Sequence, residues 1–229
     1  MSGGDPGFLY PFLDAAEDDP EGLLADLAAS ARAKATQSDV LAERTLAELD
    51  GALDAAARAM AGRFLAGGRL LCFGNGGSAT DAAQTASLYS DPPAGRSLPA
   101  RSLAADTAVL SALANDVGVE VVFARQIMAH GRAGDVALGL STSGNSANLL
   151  AAFAEARRRG LLTVGLAGYR GGRMAGSGDV DHCFVVASES VHRIQEVQDR
   201  LLHRLWLGVH EHLRADRVGT TGPAPGAGR

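Results

Sequence analysis

Five short apolar runs constrain this chain's fold more than any other feature; they lie at residues 69–73, 97–103, 135–140, 161–167 and 182–187. Most are continuous rather than alternating, as in "LLCF" and "DVALGL". A strand with one wet face alternates in polarity, whereas a parallel strand covered on both faces reads as an unbroken apolar run. Helix-length stretches separate the runs, at 78–89, 107–113, 120–130 and 145–159. This alternation predicts an α/β domain: a five-stranded parallel sheet with helices on both faces.

Helical segments flank the alternating part. Residues 22–66 contain no proline and place Leu23, Leu24, Leu27, Leu41, Leu46, Leu49, Leu53 and Met60 at helical spacings. They predict one long helix or two, stopped by Gly67-Gly68. A last helix is predicted over 191–214 from Ile194, Val197, Leu201, Leu202, Leu205 and Val209. Residues 1–21 are rich in Gly, Pro and Asp around Phe8, Tyr10 and Phe12, and read as an arm that packs on the domain or on a neighbouring subunit. The low-complexity end, "VGTTGPAPGAGR", reads as disordered. The expected organisation is an arm over 1–21, a domain over 22–213 with its helical N-terminal region, and a tail over 214–229.

Two polar loops fall where parallel sheets bind ligands, beyond the C-terminal ends of strands. Gly74-Asn75-Gly76-Gly77-Ser78 follows the first run, and "STSGNS", Ser141 to Ser146, follows the third. Each leads into a predicted helix, whose first turn offers unsatisfied N–H groups and a partial positive charge. Ser141, Thr142, Ser143 and Ser146 add hydroxyl donors. Such a pair of loops can hold a phosphate without Lys or Arg. Taken singly, each loop is also an ordinary strand-to-helix turn, and Ser146 a plausible N-cap alone.

Composition narrows the partners. Of 229 residues, 46% are hydrophobic and 21% charged, with a net charge of −5 and a mean hydropathy of +0.04. This balance is that of one globular domain with elaborated ends, and it has no basic block for general nucleic-acid binding. No apolar run approaches membrane-spanning length, and the N-terminus has no basic n-region of a secretory leader. A cytoplasmic location is expected. Cys72 and Cys183 each sit in an apolar run, without a CxxC pattern, and read as buried free thiols. Gly74, Gly76 and Ala79 match G-x-G-x-x-A, but no acidic residue closes a second strand about 20 positions on, since Asp106 lies past it. A dinucleotide site is therefore not expected.

Taken together, "GNGGS", "ANDVG", "DVALGLSTSGNSANLL", "GLAGYRGGRMA" and "HRIQEVQDRLLH" resemble the SIS (sugar isomerase) domain proteins, and most closely the phosphoheptose (sedoheptulose 7-phosphate) isomerases and their non-catalytic relatives. The resemblance spans about residues 40–213. It implies a three-layer α/β/α sandwich of flavodoxin-like type with N-terminal helices, a homo-oligomer (tetramer or dimer), and a sugar phosphate as ligand. It puts sugar-binding roles on Asn75, Gly76, Gly77 and Ser78, on Asn115 and Asp116, and on Gln195. It puts phosphate-binding roles on Ser141, Thr142, Ser143 and Ser146. His203 falls on the histidine of the family's C-terminal pattern.

Three positions depart from that pattern. Where the isomerases carry a zinc-ligating His and, four residues later, a Glu that is metal ligand and proposed base, this chain has Gln84 and Leu88. Where they carry Asp before "RIQ", it has His192. Aldose–ketose isomerisation moves a proton between C1 and C2 and needs a base and an acid; a leucine serves as neither. Gln84, Gln195 and His203 make a poor zinc set, so no family-type zinc site is expected. Asp81, Asp116, His192, Glu196 and His203 are the titratable groups expected near the loops, with His192 and His203 as the replacement catalytic candidates. His210 and His212 are expected on the surface of the last helix.

Overall fold

The computed structural model describes residues 20–220. The chain divides into two compact units, Met1–Val40 and Leu41–Arg229. The described part of the first unit is the opening of α1, a single helix over Pro20–Leu65. Leu23, Leu24, Leu27 and Val40 are exposed on it. The region expected to form one helix or two is thus one. Gly51 and Gly62, each costing about 1 kcal/mol against alanine, do not interrupt it. It stops where expected: Gly67 takes φ +85° and the Gly68 N–H donates to the Arg63 carbonyl at 2.8 Å. The arm expected over residues 1–21 lies almost wholly outside the described residues.

The second unit is built on five parallel strands in the order β2-β1-β3-β4-β5. They are β1 Leu70–Gly74, β2 Ala100–Ser102, β3 Val136–Ser141, β4 Leu162–Gly168 and β5 His182–Val186. The helices are α2 Gly77–Ser90, α3 Thr107–Val117, α4 Val122–His130, α5 Ala147–Arg158, the single turn α6 Gly172–Ala175, and α7 Val191–Thr220. Alternation along the strands divides the core in two. Leu70, Cys72, Val136 and Leu138 face α2, α7 and the second half of α1, while Leu71, Phe73 and Ala137 face α4 and α5. This is the three-layer α/β/α sandwich with a five-stranded parallel sheet.

Several assignments differ from expectation, and the helix expected over 107–113 runs on to Val117. The second run, 97–103, pairs only over Ala100–Ser102: it is the edge strand, and Pro99 has no N–H to give to a ladder. The helix expected over 120–130 opens as a 3-10 turn at Val119–Val121. The one-turn helix α6 was not anticipated, being too short to show periodicity. The last helix continues past 214 to Thr220, so the tail begins helical; residues 221–229 lie outside the described residues. Cys72 is buried, and burial pushes its thiol pKa up; Cys183 is only partly buried, and the same cause lifts it to about 11.

Candidate functional site

The strand order reverses between β1 and β3, and both polar loops leave the sheet there. In an open α/β sheet this switch point opens the crevice in which ligands sit. Gly74 ends β1 with no room for a side chain: a Cβ would stand 2.4 Å from the Ser78 carbonyl oxygen. The chain therefore turns tightly into α2, whose N-cap, Gly76, has φ +55° and no side-chain cap. Ser78 is buried in that first turn, while Asn75, Gly76 and Gly77 are exposed.

The second loop is held from behind. Gly144 has φ +65°, and a Cβ there would lie 2.1 Å from the Gly171 carbonyl oxygen. The Thr142 carbonyl accepts from the Gly168 N–H at 2.9 Å, and the Gly144 carbonyl from the Met174 N–H at 2.9 Å. Asn145 accepts from the Arg173 N–H at 3.0 Å. The turn after β4 and the short α6 thus clamp the serine loop in place. Three hydroxyls converge within it: Ser141 Oγ lies 3.0 Å from Ser146 Oγ and 3.4 Å from Ser143 Oγ. Ser146 occupies the N-cap position of α5 but makes no side-chain cap bond. Its hydroxyl turns to Ser141 instead, which leaves the helix terminus for another acceptor.

The two loops are joined by a residue that the sequence reading missed. Asn148, buried in the first turn of α5, exchanges two amide hydrogen bonds with Asn75, each 2.9 Å. Its only signal was its place in "STSGNSANLL". Gln195 comes to the same point from α7: a Cβ on Gly77 would stand 2.4 Å from its Nε2. Asp81, one turn along α2, is partly buried with Oδ2 unpartnered. Burial pushes its carboxyl above the ordinary range, Asp199 pushes the same way, and a hydrogen bond from Gln195 opposes both.

Two cavities adjoin this centre. One, of about 370 Å³, is lined by Gly74, Asn75, Gly76 and Asn148 and roofed by α3 through Thr107, Leu110, Ser111 and Ala114. Asn115 and Asp116 are not among its lining residues; they are exposed at the end of α3, where Asn115 Nδ2 donates to Asp116 at 3.0 Å. The other, of about 360 Å³, lies between α2 and α7 and brings together Gln84, Leu88, Asp199, Leu202 and His203. His203 is exposed there, with its ring 5.3 Å from that of Trp206. His192 and Glu196 are exposed on α7, and neither lines either cavity. The surface placement of His210 was wrong. It is 6% exposed, wedged between the Trp206 and Arg96 carbonyls at 3.0 Å each. His212 is partly buried against Asp54 at 2.7 Å.

The α2–α7 cavity does not suit a zinc ion. Of its lining residues, Gln84 and Leu88 offer an amide and a hydrocarbon where zinc takes thiolate, imidazole or carboxylate ligands, and Asp91, Asp199 and His203 do not come together as a ligand set. Among the described residues, no three His, Cys, Asp or Glu side chains come together as a metal site.

Known proteins supply an independent comparison. The SIS domain family matches residues 35–168. The phosphoheptose isomerase of Pelodictyon phaeoclathratiforme is 43% identical over 169 residues, covering 72% of this chain and 80% of its own. That of Thiobacillus denitrificans is 40% identical over 193 residues, covering 80% of this chain and 94% of its own. Among solved structures, the phosphoheptose isomerase of Neisseria gonorrhoeae superposes with a TM-score of 0.73 at 34% identity, over 82% of this chain and 99% of that one. The Francisella tularensis enzyme gives 0.74 at 29% identity, over 82% and 98%.

Proposed function

Because the chain belongs to the SIS-domain family and resembles its phosphoheptose isomerases, we propose that it binds a sugar phosphate of the heptose phosphate class at the β1–β3 switch point. The observation that carries this reading is the convergence of the Ser141, Ser143 and Ser146 hydroxyls at the N-terminus of α5, a terminus without a side-chain cap. Hydroxyls there donate to phosphate oxygens, and the helix dipole favours the charge. Asn75, Gly76, Gly77 and Gln195 then face the sugar.

Hydrogen bonds to a charged group are worth about 1.5–3 kcal/mol each. Losing two in a Ser141→Ala, Ser143→Ala variant is expected to weaken sedoheptulose 7-phosphate binding by about 100-fold or more. Isothermal calorimetry checks this, and unchanged affinity would remove the phosphate assignment.

Gln84 and Leu88 favour a second reading, a sugar-phosphate sensor or partner-binding protein that keeps the pocket without the metal-assisted isomerisation of its relatives. In either reading zinc is not required and nucleic acid is not a direct partner. The protein acts in the cytoplasm as a homo-oligomer, a tetramer or dimer. Exposed apolar side chains on and beside α3, Val109, Val117 and Val119, support the association. The net charge of −5 supports the absence of nucleic acid. Among the described residues no helix is long and apolar enough to cross a membrane.

A further inference from the structure

The α2–α7 cavity contains a carboxylate that the departures at positions 84 and 88 leave out of account. Asp199 is exposed on α7 and lines this cavity together with Gln84, Leu88, Leu202 and His203. Gln195, Asp199 and His203 are spaced i, i+4, i+8, so they share one helix face, about 6 Å of axial rise apart. Gln195 packs on Gly77, at the mouth of the glycine turn. The face therefore runs from the sugar-phosphate site into the cavity, with Asp199 one turn in and His203 two turns in. Among the described residues Asp199 has no ion-pair partner, whereas the neighbouring carboxylate, Asp81, takes a hydrogen bond from Gln195 and does not line the cavity. Asp91 also lines it, but it caps the far end of α2, about 21 Å of helix rise from Gly77. That is too far for a sugar whose phosphate rests on the serine loop.

We infer that Asp199 is the proton acceptor of an aldose–ketose isomerisation in this protein, supplying from α7 the carboxylate that Leu88 does not supply from α2. This rests on the sugar-phosphate reading above and deepens it, because it makes the protein an isomerase rather than a sensor. Starting from the ketose, Asp199 takes the proton on C1. The C1–H electron pair becomes the C1–C2 double bond, the carbonyl pair moves onto O2, and O2 takes a proton from a ring N–H of His203. In the second half, O1 returns a proton to His203 and its pair forms the C1 carbonyl, while C2 takes a proton from the Asp199 carboxyl, which, being exposed, has exchanged its own with solvent in the meantime. No metal or redox partner enters the balance. The Trp206 ring lies tilted beside that of His203, at 5.3 Å, and Leu88 and Leu202 give the cavity an apolar wall.

The test is proton–deuterium exchange at C1 and C2 of sedoheptulose 7-phosphate in D₂O, followed by NMR. Calorimetry runs in parallel on wild type, Asp199→Asn and Asp91→Asn. Wild type is expected to exchange. Asp199→Asn, an isosteric change at an exposed position, is expected to slow exchange about 10²–10⁴-fold, the range for a lost general base, with affinity changed less than about tenfold. Asp91→Asn is expected to exchange as wild type does. Exchange that survives in Asp199→Asn, or is lost in Asp91→Asn instead, overturns the assignment. Wild type that binds the sugar without exchange also overturns it and leaves the binding reading standing. Absence of any binding overturns both.

Discussion

Gly77 shows how closely the site is drawn at the scale of single residues. It is exposed and helical, and alanine is a better helix former there, yet its missing side chain is where the Gln195 amide rests. Gly77→Ala is therefore expected to leave the melting temperature unchanged or slightly raised, because only the far end of a flexible side chain must move. It is also expected to weaken sugar-phosphate binding by up to about tenfold, one neutral hydrogen bond's worth. A thermal melt and a calorimetric titration on the same sample separate the two effects. The motif pointed to Gly77 and Gln195 individually, but not to their contact, because a side chain 118 positions away in the chain is invisible to local pattern. Asn148 was missed for a related reason: asparagine at the start of a helix already has a local explanation. Its reciprocal pair with Asn75 needs two strands brought side by side.

Among the elements, β4 and β5 are fastened by Asp181, just before β5. Its carboxylate accepts from the Thr163 N–H and hydroxyl at 2.9 Å each and pairs with Arg157 at 2.6 Å. Partial burial raises the pKa of this carboxyl, but the Thr163 donors and Arg157 outweigh it and hold the group below its ordinary 3.8. A group with a lowered native pKa contributes stability above its unfolded value and loses it as pH falls through the native one. Below about pH 4, wild type is thus expected to lose stability with falling pH more steeply than Asp181→Asn. Denaturant titrations from pH 5 to pH 2 would show the two curves converging; parallel curves would count against the clasp. The sheet's core strands were legible because unbroken apolar runs have few other uses. The edge strand was overestimated, because Pro99 ends pairing from one side while the apolar character continues. The length of α1 was left open, because glycines inside a helix lower its stability without ending it.

For the whole molecule, the decisive fact is the strand order, which brings the glycine turn of β1 and the serine loop of β3 to one switch point. Beside it, α2 and α7 form a cavity whose Gln84 and Leu88 stand where the family resemblance places a zinc-ligating His and a Glu. With Gln84 and Leu88 there, the purified protein is expected to hold no stoichiometric zinc and to melt at the same temperature with or without chelator. A Gln84→His, Leu88→Glu variant completes a set with Gln195 and His203 and is expected to retain about one zinc per chain after dialysis. Metal analysis of both proteins checks this; zinc retained by the parent at that level would show that the ligand set had been misread.

Local chemistry determined much of this protein before any coordinates. Apolar runs specified parallel strands because burial on both faces demands them, and the glycine and serine loops marked a candidate anion site because free helix-terminal N–H groups attract one. The family pattern then located the two missing side chains. The tertiary structure alone decided which distant groups meet: Asn75 with Asn148, Gly77 with Gln195, and Leu88 of α2 with Asp199 and His203 of α7 across a cavity. Those meetings follow from strand order and helix packing, which bring together residues far apart in the chain, and no periodicity within one segment encodes them.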